Sequence, residues 1–214
     1  MGLPLVSCLM LTYSRLEMFK HAYDSYIDQT YRNKELIIVN SGTDGYKKEV
    51  SDYVGLSGSE SVTHITCEPE NLGKLRNMAL DASSGEYLMT MDDDDSHHKK
   101  RIEKQMDYIL REGKEGCLLG NFRLIYGDKR YVIKWAQGLE PTLLCKKIEG
   151  IRYDDELSIT EDTDYIRKLK QNKVNVGVYR APSDFYEYRY HGGNVTPGET
   201  FIKFNPQIAV DSDA

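Results

Sequence analysis

No stretch of the chain approaches the ~20 consecutive apolar residues that a membrane-crossing helix needs, so no transmembrane segment is expected. The N-terminus has neither a basic lead nor a small-residue cleavage site and is not read as a signal peptide. It opens Met1-Gly2, but Val6 stands where myristoylation wants Ser or Thr. Only four cysteines occur, Cys8, Cys67, Cys117 and Cys145, with no Cys-x-x-Cys pair, which fits a reducing compartment better than a disulfide framework. Basic surplus is lacking too. A net charge of −6 excludes general nucleic-acid binding, which requires a positive footprint. No linker, repeat or low-complexity tract interrupts the chain. These absences leave a soluble cytoplasmic protein, or one peripheral to a membrane, built as a single domain over residues 1–214.

What is present is an ordinary globular composition, 40% hydrophobic and 29% charged, with an unusual sixteen tyrosines against five phenylalanines. Such a ratio suggests half-buried rings or a surface facing a sugar or a base. Short apolar runs over residues 5–11, 35–39, 62–66 and 87–91 read as buried strands. Helical periodicity over residues 16–29, 46–54, 71–83 and 99–111 falls between and after them. Strands alternating with helices predict a mostly parallel sheet covered on both faces. In such sheets ligands sit beyond the carboxyl ends of the strands, where residues 12–15, 40–44 and 92–95 fall. From residue 116 the pattern changes. Strands over 117–126, 130–135 and 142–146 are joined by short turns, then a helix over 161–171 and a strand over 174–179 follow. Residues 181–214 are tyrosine-rich and then irregular. The first 115 residues therefore form one functional half and residues 116–214 a second, mixed half.

The strand over 87–91 runs into Asp92, Asp93, Asp94 and Asp95. Four adjacent carboxylates repel one another and cannot be buried unpaired. Taken alone they make either a solvated acidic loop or a site for Mg²⁺, Mn²⁺ or Ca²⁺, which prefer carboxylate oxygen. No EF-hand spacing surrounds them, which argues against a calcium scaffold.

Several motifs share one resemblance. Leu11-Thr12-Tyr13-Ser14-Arg15 is similar to a "PTYNR" segment, and Gln29-Thr30-Tyr31 precedes Glu35-Leu36-Ile37-Ile38-Val39. Asn71-Leu72-Gly73, Arg76-Asn77, Ala79, Ala82 and Gly85-Glu86-Tyr87 follow in order, then the acidic run, Pro141-Thr142-Leu143-Leu144 and Thr160-Glu161-Asp162. In this order and spacing, from about residue 4 to residue 196, the chain resembles a family-2 glycosyltransferase. The resemblance implies an α/β fold: a single GT-A domain, Rossmann-like and mostly parallel in its N-terminal half, with a mixed acceptor-binding C-terminal half. It implies inverting transfer of a sugar from a nucleotide-diphosphate donor, UDP-sugar favoured, to a saccharide or other hydroxyl acceptor, with Mn²⁺ or Mg²⁺ as cofactor. The alternative is a catalytically inactive module of the same fold that binds a sugar nucleotide or glycan. A sugar nucleotidyltransferase is disfavoured, because it wants a glycine-rich loop where Leu11–Arg15 has no glycine.

The same resemblance distributes roles. Asp92 and Asp94 are expected to meet the metal and the donor, with Asp93 beside them and His191 on the metal or the diphosphate. Thr12, Tyr13, Arg15, Asn40, Lys74 and Arg76 are the other expected donor contacts; a helix start bearing cations suits phosphate. Asp162 is the expected general base and Glu161 its partner, although Thr160-Glu161-Asp162-Thr163 is also good helix-capping chemistry. Arg189 is expected to brace the leaving group, Gly192-Gly193 to let a closing loop move, and Trp135 or a tyrosine, in an acceptor-reading stretch from Phe122 to Trp135, to stack on a sugar ring. One departure is visible. The family's usual Asp-Asp-Gly-Ser after the second strand is replaced by Asn40-Ser41-Gly42-Thr43-Asp44, which removes the acid that reads uracil.

Overall fold

The computed structural model describes residues 2–59, 61–192, 194, 198–204 and 209–210. Its centre is four parallel strands, β1 (Val6–Thr12), β2 (Lys34–Asn40), β3 (Val62–Thr66) and β4 (Tyr87–Thr90), in the order β3-β2-β1-β4. They pair in continuous register, Cys8 opposite Leu36 on one side and opposite Met89 on the other. Alternate residues of β1 face opposite ways, as period-two geometry requires. Cys8 and Met10 pack under α1 (Leu16–Ile27), α2 (Asp44–Leu56) and α4 (Arg101–Arg111). Leu9 packs under α3 (Leu72–Ala82) and α5 (Glu161–Gln171). With both faces covered, nearly every residue of β1 and β2 is buried, which explains their continuous apolar runs.

The sheet continues into the second half. β4 pairs antiparallel with β7 (Lys129–Lys146), which pairs antiparallel with β6 (Gly116–Tyr126). β6 in turn carries β8 (Val176–Tyr179) and β9 (Tyr186–Tyr190), both parallel to it. Two departures from the sequence reading have clear causes. The strands expected over 130–135 and 142–146 are one strand, β7, bent where its pairing with β6 slips between Cys117 and Asn121 and where Gly138 takes φ 79°. The strand expected from residue 174 starts at Val176, because Lys173 turns at φ 60° and Val174 still donates to Leu169 O.

The stretch read as irregular contains β9 and α6 (Gly198–Phe204). β9 also creates a two-residue strand, β5 (Ser96–His97), by pairing Ser96 with Glu187 and His97 with Tyr186. Residues 193, 195–197, 205–208 and 211–214, including Gly193 of the expected mobile pair, lie outside the described residues.

Gly73 explains how the two halves close at one edge. A Cβ there would lie 1.8 Å from Asp154 O, and its amide donates to Leu157 O at 2.8 Å. Only glycine lets the segment before α5 lie against the first turn of α3.

Candidate active site

The ends of β1 and β4, the middle of β7 and the starts of α3 and α5 surround a cleft of about 480 Å³. Arg15, Arg76, Asp92, Asp93, Asp94, Glu161 and Asp162 all line it, as do Asp95, Trp135, Glu140, Tyr188, Asn194 and Phe201. Arg15 comes from the loop after β1, where it spans two carboxylates: Nη2 donates to Asp93 Oδ1 at 2.6 Å and Nη1 to Asp94 Oδ2 at 2.7 Å. His191 Nε2 joins the same cluster, 3.0 Å from Asp94 Oδ2 and 3.2 Å from Arg15 Nη1. Arg76 reaches from α3 to both walls. Its Nε donates to Glu161 Oε1 and its Nη2 to Asp92 Oδ1, each at 3.1 Å.

Electrostatics follow from burial. Desolvation pushes the Asp93 carboxyl up to about 7, outweighing Arg15 beside it, and Asp94 adds to the rise. Burial also raises Asp92, against the pull of Arg76. Asp95 lies well above the usual carboxylate range through burial and the charges of Asp94 and Asp92. For both arginines burial works against the charge, but the surrounding carboxylates win and hold each guanidinium above its ordinary value. The acidic run is thus offset from inside by two cations, Arg15 and Arg76.

Asp95 has a different task. Its Oδ1 accepts the Arg189 amide at 3.0 Å and its Oδ2 accepts the Tyr186 hydroxyl, fastening β9 to the acidic turn. Below Tyr186 lies Arg101, fully buried, with its guanidinium 5.1 Å from the ring and Nη1 2.5 Å from His97 Nδ1. His97 therefore packs in the core, where burial and Arg101 keep it well below the ordinary histidine range. His98 stacks on Phe185 and accepts the Lys100 amide at the start of α4.

At the opposite wall Thr160 adopts φ 65° and makes no capping bond. A β-branched residue in that region is strained by about 1–2 kcal/mol, and such strain collects at functional sites. The turn sends Glu161 inward to Arg76 and leaves Asp162 on the cleft, where its Oδ1 accepts the Thr163 amide at 2.7 Å.

Four expected donor contacts lie elsewhere. Thr12 is buried and bonded to the Tyr46 hydroxyl. Tyr13 is exposed beyond β1. Asn40 is fully buried, with Oδ1 taking the Gly42 amide and Nδ2 facing His64, so its polar atoms are already engaged. Lys74 is exposed and paired at 2.7 Å with Glu70, four residues earlier and just ahead of α3, and it does not line the cleft. Conversely, Glu140, Thr200 and Phe201 line the cleft without having been expected there, and Tyr188 lines it with no role of its own read from the sequence. Glu140 precedes the recognised Pro141 landmark and carried that signal; the others lie in the tyrosine-rich tail.

Among the described residues no three His, Cys, Asp or Glu side chains converge as metal ligands, and Arg15 lies between Asp93, Asp94 and His191 instead. The chemistry of the donor set still suits a hard cation. Seven carboxylates line the cleft against two guanidiniums, and one oxygen of buried Asp93 has no hydrogen-bond partner.

A parallel α/β half ending in an acidic turn, faced across a cleft by a mixed half, is the GT-A architecture. Its class is that of the glycosyltransferases built on this fold. Residues 7–158 match the model of Glycosyl transferase family 2, and the chain belongs to that family. Among curated relatives, an uncharacterized glycosyltransferase of Rickettsia typhi is 27% identical over 187 residues, covering 75% of this chain and 57% of that protein. The chain thus spans less than three fifths of that relative. Staphylococcus aureus TarS 1-349, solved with UDP-GlcNAc, superposes with a TM-score of 0.75 at 18% identity, over 89% of this chain and 60% of that one. The mannosyltransferase PcManGT of Pyrobaculum calidifontis, solved with GDP-Man and Mn²⁺, gives 0.70 at 14% identity, over 90% and 59%. No helix among the described residues is long and apolar enough to cross a membrane.

Proposed function

We propose that the chain carries an inverting, metal-dependent glycosyltransferase centre that moves a sugar from a nucleoside-diphosphate donor, UDP-sugar favoured, to a hydroxyl acceptor. The observation that carries this reading is the placement of Asp92 and Asp94 on one wall of the cleft and Asp162 on the other, joined through Asp92–Arg76–Glu161. The acceptor oxygen attacks the anomeric carbon while the bond from that carbon to the diphosphate oxygen breaks. The hydroxyl proton passes to Asp162, and the electron pair leaves with the nucleoside diphosphate.

Asp92, Asp94 and His191 are the side chains that would hold Mn²⁺ or Mg²⁺. When bound, the metal supplies Lewis-acid neutralisation of the charge growing on the diphosphate. A diphosphate entering so acidic a cleft needs added positive charge, which Arg15 and Arg76 provide only while paired. Glu161 and Arg76 fix the wall that presents Asp162. Of the expected donor contacts, Asn40 and Lys74 are engaged by other partners and Tyr13 stands exposed outside the cleft.

The relatives' ligands support the donor class: UDP-GlcNAc in TarS and GDP-Man with Mn²⁺ in PcManGT. Calorimetry with UDP- and GDP-sugars, with and without Mn²⁺, should show metal-supported binding, followed by sugar release or transfer. Asp162→Asn should keep donor binding and lose turnover by about 10²–10⁴-fold. Donor bound by the wild type without any turnover would sink the enzymatic reading, and an undiminished rate in Asp162→Asn would move the base elsewhere.

A further inference from the structure

The cleft is lopsided in charge. Its two cations, Arg15 and Arg76, are both committed to carboxylates, Asp93 and Asp94 for one and Asp92 and Glu161 for the other. On the acceptor side stand Glu140 from β7 and Asp162 from α5, and neither has an ion pair within the protein among the described residues. Glu140 is half-buried, and burial together with the charge of Asp162 raises its carboxyl above the ordinary range. Lys170, near the end of α5, exerts a weaker opposing field and does not line the cleft. The residues outside the described set contain no lysine or arginine, so no further side-chain cation can come from them. Beside Glu140, Trp135 lines the same cleft with its ring held edge-on by Phe201 at 5.4 Å.

We propose that Glu140 is a specificity-determining residue that, with Trp135, selects an acceptor sugar carrying no negative charge and rejects acidic ones such as uronates. The inference rests on the glycosyltransferase reading of the cleft and deepens it on the acceptor side. A carboxylate and an indole lining one cleft suit a neutral sugar ring, whose apolar face can lie on the indole while its hydroxyls donate to the carboxylate. An acceptor bearing its own carboxylate would meet Glu140 and Asp162 with no cation to offset it, and like charges brought together in a partly dry site disfavour the wrong ligand strongly.

Saturation-transfer NMR on the whole chain, with UDP and Mn²⁺ present, compares two probes of the same ring: methyl β-glucopyranoside and methyl β-glucuronide. The neutral glycoside should bind at least about tenfold more tightly, and Glu140→Gln should bring the two within about threefold of each other. Asp162 is untouched in that variant, and UDP affinity should not change. The inference is overturned if the glucuronide binds as well as the neutral glycoside, if the neutral glycoside gives no signal, or if Glu140→Gln leaves the ratio where it was. UDP binding on the same samples is read separately. Its loss would strike at the donor-site reading, while a reversed glycoside preference with UDP still bound would strike at Glu140 alone.

Discussion

Arg76 is the residue whose removal should be felt most. It is 7% exposed, and its guanidinium sits between Asp92 and Glu161 at 3.1 Å from each, 6.0 Å from the Tyr153 ring. Replacing it by methionine keeps much of the volume and deletes the charge, so two carboxylates of the cleft wall lose their common partner. Breaking a buried ion pair from one side costs about 3–5 kcal/mol, because the charge left behind is uncompensated. For a chain of this size that corresponds to a fall in Tm of roughly 6–20 °C.

The loss should depend on pH, and its sign can be worked out. Burial already raises Asp92 and Arg76 opposes the rise. Without Arg76 the folded-state value climbs further above the unfolded one. Such a carboxyl contributes stability that is complete below its unfolded pKa, about 4, and is lost as pH rises through the folded value. The penalty in Arg76→Met must therefore be larger at pH 8 than at pH 5. Urea unfolding of both proteins at the two pH values reads it directly. Adding Glu161→Met to Arg76→Met should recover part of the loss, since a neutral apolar pair costs less than half of an ionic one. A penalty under about 1 kcal/mol at pH 8, or one equal at both pH values, would refute the account of this wall.

Two further outcomes concern the acidic turn. With Asp93 pushed up to about 7, its contribution to stability is lost as pH climbs through that value, so urea midpoints of Asp93→Asn should vary less between pH 5 and 8 than those of the wild type. Parallel profiles would show that Asp93 ionises as an ordinary carboxyl. Asp95→Asn can still accept the Arg189 amide while its own amide donates to the Tyr186 hydroxyl, and should remain within about 1 kcal/mol of wild type; Asp95→Ala orphans both groups and should cost about 2–5 kcal/mol. Equal losses in the two variants, measured by urea unfolding, would mean that Asp95 matters through its charge rather than through these bonds.

The elements that could be read from the sequence are those whose apolar pattern is set locally. β1, β2 and β4 are buried on both faces and show it as unbroken runs; α1 shows Phe19, Ala22, Tyr23 and Tyr26 at helical spacing, and all four are buried. What could not be read depends on distant partners. β5 is two residues long and exists only because β9 lies beside it. β9 itself, Tyr186-Glu187-Tyr188-Arg189-Tyr190, alternates as a strand should, yet tyrosine is equally at home half-exposed, so the pattern did not distinguish strand from tail. Arg101 opens a helix rich in lysine and arginine and looks solvated in sequence, but Tyr186, His97 and Gln105 enclose it completely. Lys74 and Arg76 are the same problem in the cleft: two cations two residues apart on one helix, pointing different ways, one caught by Glu70 and the other buried between the walls.

The four aspartates make the point most sharply, because the sequence prints the same letter four times. From Met91 to His98 burial alternates residue by residue, so Asp92 and Asp94 are the more open pair at the cleft while Asp93 and Asp95, which also border it, are buried. The chain turns at Asp93 and Asp94 rather than running extended, yet the alternation still leaves carboxylates two apart as the more open pair. The inward pair must then be satisfied from within. Asp93 is met by Arg15, 78 positions earlier, and Asp95 by Tyr186, 91 positions later. Each inward aspartate thus ties the turn to an element remote in sequence, and between them they leave the outward pair little freedom to rotate. The turn is held from behind by the loop after β1 and by β9, which is why the chain past residue 181 is as much a part of this wall of the cleft as the acidic run itself.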